Sequence, residues 1–239
     1  MIKKTLNQNT KYVRQLIKIV EPNFNFGSKP INRFDLDKNA QVETSLDKSK
    51  KLKNLEERIN AIENCKLKDF SKNLVMGDGN INSPIMIIGE NPGELEDIDN
   101  TPFLGEAGAL LDKMLLAINI KRKKIYTTYS INFRSPEDRK PTSQEIKRYS
   151  IFLKDHISII DPKIIILLGS TAMEALTGLT NKISDERGKW KEIIIKNKSF
   201  IVMISFSPSY LIRFPENKKY SWIDLKKIRQ KVEKLKIEI

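Results

Sequence analysis

Three short stretches, PIMIIG (84–89), KIIILLG (163–169) and SFIVMISF (199–206), are apolar at almost every position. A strand with one face in water alternates apolar and polar residues. A strand without that alternation is covered on both faces. None of the runs approaches the length needed to cross a bilayer. Helical patterns separate them. GEAGALLDKMLLAINI (105–120) turns Leu110, Leu111, Met114 and Leu115 to one side, and EIKRYSIFLKDHISII (145–160) is opened by a Thr142-x-x-Glu145 capping box. STAMEAL (170–176) is a shorter helix, and IYTTYSI (125–131) a further strand. WKEIII and SFIVMISF add one or two strands with a turn at 196–198, and a last helix starts near Trp222. Strands alternating with helices define an α/β fold: a three-layer α/β/α sandwich around a mainly parallel sheet. Ligands of such sheets bind beyond the carboxyl ends of the strands. The loops 89–103, 132–141 and 205–214 and the turn at Gly169 therefore share one rim.

Upstream, residues 7–20 can form an amphipathic helix with Val13, Leu16, Ile17 and Val20 on one face. Residues 21–46 are polar, with Pro22, Gly27 and Pro30, and read as a linker. Asp47 looks like an N-cap for a helix to about Asn64 that carries Leu52, Leu55, Ile59 and Ile62. The expected division is an N-terminal helix and linker (1–46) and one domain (47–239). MIKKTLNQNTKYVRQLIKIV has no apolar signal region, so an ordinary start is expected. The lone cysteine, Cys65, excludes an intramolecular disulfide and suggests a reducing compartment, the cytoplasm. A formal charge of +13 favours a polyanionic partner, nucleic acid, over a merely solvated lysine surface; no membrane is expected and no protein partner can be inferred. A monomer is expected.

Against that charge, GENPGELEDIDNTPFLGEAG (89–108) is acidic, with Glu90, Glu94, Glu96, Asp97, Asp99 and Glu106. Neither G-x-x-x-x-G-K-[ST] nor G-x-G-x-x-G occurs, and carboxylates repel phosphate, so nucleotide binding at this loop is excluded. Clustered carboxylates suit Mg²⁺ or Ca²⁺; the D-x-D-x-D-G loop pattern is missing, and a two-carboxylate Mg²⁺ site stays open. A third use is chemistry on a polar substrate. Glu90 stands at a strand end, where a rigid carboxylate can orient water, and Phe103 can offer a planar face. Capping and core roles for Glu90, Glu96, Asp97 and Phe103 stay open beside it.

The same residues resemble a family. GENPGELEDIDNTPFLGEAGALLDKML looks like the first motif of family 4 uracil-DNA glycosylases, GEAPG-x-x-ED-x-x-G-x-PF-x-G-x-x-G-x-LL. IYTTYSINFRSPEDRKPTSQEI, DPKIIILLGSTAMEAL, RGKW and SPSYLIRFPENKKYSWIDL follow in the family's order, from about residue 62 to 235. The resemblance implies a four-stranded parallel sheet, DNA with a damaged base as partner, and hydrolysis of the N-glycosidic bond of a flipped-out uracil or related base. It also implies roles for residues. Glu90 and Glu96 are the candidate catalytic pair. Asn91, Gly93, Phe103, Tyr129 and Ser207 would meet the base, with Phe103 stacking on it. Arg134, Ser209, Tyr210, Leu211 and Arg213 would meet the DNA. A catalytically silent DNA-binding member of the same fold is the alternative.

The chain departs from the family at several positions. The four cysteines that hold the family's iron–sulfur cluster fall at Ile62, Cys65, Phe133 and Tyr149, so no cofactor is expected, and no metal. The family's uracil-reading asparagine falls at Tyr129, and its histidine at Ser207. Asn132 lies three residues beyond Tyr129, on the other side of a regular strand. The one histidine, His156, sits in a helical pattern and reads as structural.

Overall fold

The computed structural model describes residues 45–238. The helix expected at 7–20 and most of the linker at 21–46 lie outside them. In chain order the elements are α1 (Ser45–Asn60), α2 (Lys66–Phe70), β1 (Gly77–Gly79), β2 (Ile85–Gly89), α3 (Glu94–Asp99) and α4 (Gly105–Leu116). Then come β3 (Tyr126–Tyr129), α5 (Ser143–Ile160), β4 (Ile164–Leu168), α6 (Ser170–Thr177) and α7 (Ile183–Glu186). The described part closes with β5 (Trp190–Ile195), β6 (Lys198–Ser205), α8 (Pro208–Arg213) and α9 (Lys218–Lys234).

The sheet has six strands in the order β1-β3-β2-β4-β6-β5. The inner four, β3, β2, β4 and β6, are parallel, as the apolar runs require. Two antiparallel edge strands extend the expected four: β1 on β3, and β5 on β6. GDG (77–79) has no strand-like pattern and pairs only because β3 offers it an edge. β5 and β6 form a hairpin whose turn places Lys196 and Asn197 at φ 47° and 64°, the geometry that matches strand twist.

Both faces of the inner sheet are buried, and side chains alternate between two cores. On one face Met86, Ile88, Tyr126, Ile165, Leu167, Val202 and Ile204 pack with residues of α1, α2, α5 and α6. On the other, Ile85, Ile87, Tyr129, Ile164, Ile166, Leu168 and Met203 pack with residues of α4, α8 and α9. These are the three layers. The capping box at α5 forms as its spacing predicts: the Glu145 amide donates to Thr142 Oγ1 (3.3 Å) and the Thr142 amide to Glu145 Oε2 (2.7 Å). Arg139 binds the same carboxylate and holds its pKa down at about 2. Two expected boundaries move. α1 begins at Ser45, so Asp47 lies within its first turn rather than at the cap. α9 begins at Lys218, four residues before Trp222, because the short turn at Pro215–Asn217 runs straight into it.

His156 is wholly structural. It is buried on α5, pairs through Nε2 with the Tyr126 hydroxyl (2.9 Å), and burial alone lowers its pKa to about 3. Among the described residues no helix is long and apolar enough to cross a membrane.

Candidate functional site

The chain runs from β2 to β3 on one side and then crosses to β4 on the other. β2 therefore ends at the point where the winding reverses, where an α/β sheet opens a crevice. Glu90 follows β2 directly. Its Oε1 accepts from the Thr171 amide (3.1 Å) and the Ser170 hydroxyl (3.4 Å) at the start of α6. The side chain lies across Gly169, where a Cβ would collide with the carboxyl group; Gly169 also has φ 105°. Among the described residues, no group hydrogen-bonds to Oε2. Glu90 is thus a half-buried carboxylate, anchored by one oxygen and open at the other.

Glu96 and Asp97 are spent on backbone. Glu96 is buried; Oε2 accepts from Gly93 N (3.0 Å), and Oε1 from Leu104 N (2.9 Å) and the Tyr129 hydroxyl (3.3 Å). Asp97 accepts from the amides of Lys72 and Asn73. The acidic loop is therefore partly a tying device: carboxylates satisfy amides that a turn-rich segment leaves unpaired. Asn91 folds back, its amide donating to Pro92 O (3.2 Å). Gly93 caps α3.

Phe103 sits at φ 58° in the left-handed region, held there by Arg122, which donates to Phe103 O (2.7 Å) and to Pro102 O. Its ring does not face open solvent. Tyr129 stacks on it, with centroids 4.8 Å apart and planes 29° from parallel. The Tyr129 hydroxyl accepts from Phe103 N (2.9 Å) as well as donating to Glu96. Burial, with the Glu96 charge second, pushes the Tyr129 pKa up, so the phenol stays neutral. Gly89 makes room for both rings: a Cβ there would lie 2.7 Å from Phe103 Cζ and 2.8 Å from Tyr129 Cδ1.

Ser207 caps α8, its Oγ accepting from the Tyr210 amide (3.3 Å). It is buried beside the rim and keeps its hydroxyl proton to donate. Ser209 and Arg213 are exposed on α8. Leu211 corrects the expectation: it is 1% exposed and belongs to the core, because α8 turns that face onto α4 and the sheet. Tyr210 lies in a ring series with Phe206 (4.8 Å) and Phe214 (4.9 Å), which the i, i+4, i+8 spacing on 206–214 could have revealed. Arg134 is engaged by Asp138 (2.7 and 3.0 Å), with Glu94 at 3.8 Å. Asn132 lies beyond the end of β3, is buried and donates to Val75 O (2.9 Å).

Beneath the rim, Arg187 and Asp224 form a buried ion pair, Nε to Oδ2 at 2.9 Å, and Ser205 adds a hydrogen bond to Oδ2 (2.8 Å). The Arg187 guanidinium lies 5.8 Å from the Phe206 centroid and 5.4 Å from that of Tyr220. This network fixes the end of β6 against α9, and with it the approach to Ser207. The sequence offered no sign of it beyond RGKW.

The uracil DNA glycosylase superfamily profile matches residues 76–228, which covers the inner sheet and every rim residue described above. The chain belongs to this superfamily. It is similar to the Type-4 uracil-DNA glycosylase of Sulfurisphaera tokodaii, 35% identical over 75% of this chain and 84% of that protein. It is also similar to the proteins of the same name from Thermotoga maritima (36%; 67% and 83%) and Saccharolobus solfataricus (34%; 73% and 83%).

Ile62, Cys65, Phe133 and Tyr149, where the resemblance puts the iron–sulfur cysteines, all belong to the buried core on one face of the sheet. Cys65 Sγ lies 3.2 Å from the Tyr149 hydroxyl, and the Phe133 ring meets that of Tyr149 edge-on at 6.2 Å. Burial pushes the Tyr149 pKa up, so it is a neutral phenol. One thiol, one protonated phenol and two hydrocarbon side chains do not fit a group that requires thiolate ligands. Among the described residues, no three His, Cys, Asp or Glu side chains are grouped so as to hold a metal ion.

Proposed function

We propose that this chain is a DNA glycosylase that hydrolyses the N-glycosidic bond of uracil, or a related lesion base, rotated out of DNA. The observation that carries the reading is Glu90: a strand-end carboxylate at the reversal of the sheet, fastened through Oε1 and open at Oε2. In this reading Oε2 orients a water toward C1′ of the sugar. The water oxygen bonds to C1′, the bond electrons leave with the base, and the water proton passes to the carboxylate. The negative charge of Glu90 also stabilises the cationic character that develops on the sugar. Ser207 donates a hydrogen bond to the departing base. Glu96 acts as a positioning residue, because both of its oxygens are committed to the loop and to Tyr129. The lysine-rich exterior holds the phosphates, and Ser209 and Arg213 meet the DNA near the rim. The names of the relatives support the reaction class, and in this reading the chain works on DNA as a monomer in the cytoplasm.

The test is direct. Uracil-containing single- and double-stranded oligonucleotides are incubated with the protein, and abasic sites are scored as alkali-labile breaks. Wild type is expected to produce them, and Glu90→Gln to be slower by roughly 10²–10⁴-fold. One observation favours a second reading, a DNA-binding protein without excision: the Tyr129 ring already lies on Phe103. Salt-sensitive binding without breaks in any uracil, hypoxanthine or xanthine substrate would select it.

A further inference from the structure

The planar face that the rim could offer a rotated-out base is the ring of Phe103, and that face is taken. Tyr129 lies against it at 4.8 Å and 29°, which is the offset arrangement aromatic rings prefer. Its hydroxyl is held from two directions, by Phe103 N (2.9 Å) and by Glu96 Oε1 (3.3 Å). Phe103 is 4% exposed and Tyr129 5%. The guanidinium of Arg122 stands 5.6 Å from the Phe103 centroid while its nitrogens hold the Pro102 and Phe103 carbonyls. A base seated on Phe103 must first expel the phenol. That breaks both hydrogen bonds and exposes Phe103 N and Glu96 Oε1 to new partners.

We infer that Tyr129 occupies the base's seat, and that the DNA ligand this cleft prefers is a nucleotide without a base, an abasic deoxyribose. The inference rests on the reading that this rim engages DNA, and it deepens that reading by naming the ligand class. A baseless sugar brings hydroxyl and ring oxygens and its flanking phosphates, and asks nothing of the Phe103 face. Glu90 Oε2 and the Ser207 hydroxyl offer it an acceptor and a donor on the same rim. Tyr129 is then the specificity-determining residue. It admits the product of base removal readily and the base-bearing nucleotide at a cost. The arrangement serves an excising enzyme that retains its product and a silent binder of lesions equally well.

The experiment compares three oligonucleotides of one sequence with the full chain, by fluorescence anisotropy. At one position they carry a tetrahydrofuran abasic analogue, a 2′-fluorinated deoxyuridine that resists hydrolysis, or thymidine. Wild type is expected to bind the tetrahydrofuran strand at least fivefold more tightly than either of the others. Tyr129→Phe keeps the ring and should keep that ranking. Tyr129→Ala and Tyr129→Asn bare the Phe103 face and should abolish or reverse it. If uracil binds wild type as tightly as tetrahydrofuran does, the seat assignment falls while the DNA reading stands. A preference that survives intact in Tyr129→Ala also overturns it, since the ring would not be its cause. Equal, weak and salt-insensitive binding of all three strands sinks the DNA reading and the assignment together. If Tyr129→Ala fails to fold, the rankings of wild type and Tyr129→Phe decide the matter.

Discussion

Tyr129 and Tyr149 lie on opposite faces of one sheet and share most of what a local description records. Both are buried, both phenols are kept neutral by burial, and both donate or accept within their own cluster. Their surroundings separate them. Tyr149 is 0% exposed, meets Cys65, Phe133 and Phe152, and sits in the middle of α5. Tyr129 ends β3 at the reversal of the sheet, against Gly89 and Phe103. The first fills a core. The second fills a place where an α/β sheet receives ligands. Equal burial thus has two consequences, and position relative to the strand ends decides which applies.

The comparison breaks most readily on stability. Tyr149→Ala should cost about 3–5 kcal/mol, as large-to-small changes at closed core sites do. Tyr129→Ala should cost less, about 2 kcal/mol, because water can enter at the rim and satisfy Phe103 N and Glu96. Urea melts of the two variants check this, and equal losses would show that Tyr129 is ordinary core.

The pH dependence should belong to the Tyr149 face. His156 there titrates at about 3 when folded, against an ordinary value of 6.5. The unfolded chain therefore binds a proton that the folded chain refuses. The contribution is fully present above pH 6.5 and is lost as pH falls toward 3, with the unfolding constant rising by up to about tenfold per pH unit. His156→Phe should flatten that limb of a stability profile, and Tyr129→Phe should leave it in place. The Glu145 carboxylate adds a second acid-sensitive piece, stabilising above the ordinary carboxylate range and losing its effect as pH falls toward 2.

A smaller test removes only hydroxyls. Tyr149→Phe loses a contact with one thiol and should cost under about 1 kcal/mol. Tyr129→Phe leaves a buried amide and a carboxylate oxygen short of a partner and should cost about 1–2 kcal/mol. Chemical denaturation distinguishes them, and the reverse order would mean that the Glu96 tie is weak. The smallest difference comes from Thr142→Ala. It should lower stability by about 1 kcal/mol through the α5 cap while leaving the oligonucleotide rankings of wild type unchanged.

The inner sheet, its parallel sense and the α5 cap were legible because each depends on neighbours close in sequence. Alternating burial follows from strand geometry once a run is covered on both faces, and a capping box is closed by residues three apart. Of the two edge strands, β5 was legible as WKEIII before its turn, and β1 was not. GDG carries no strand signal, and it pairs because β3 lies beside it. Glu90 could be singled out as a strand-end carboxylate, but its hold on Thr171, 81 positions away, could not. Leu211 was misread for the same reason: its burial depends on α4, a helix a hundred residues earlier in the chain.

By itself the sequence determined the layering of this protein, because uninterrupted apolar runs have no stable home except between two covering layers. It also determined that the chain carries a single thiol, Cys65. Tertiary structure alone decided what the tyrosine at 129 does. A phenol can line a cleft, cap it or fill it. Here the bare backbone of Gly89, the left-handed turn at Phe103 and the committed carboxylate of Glu96 come together from three separate segments, and the ring closes over the face between them.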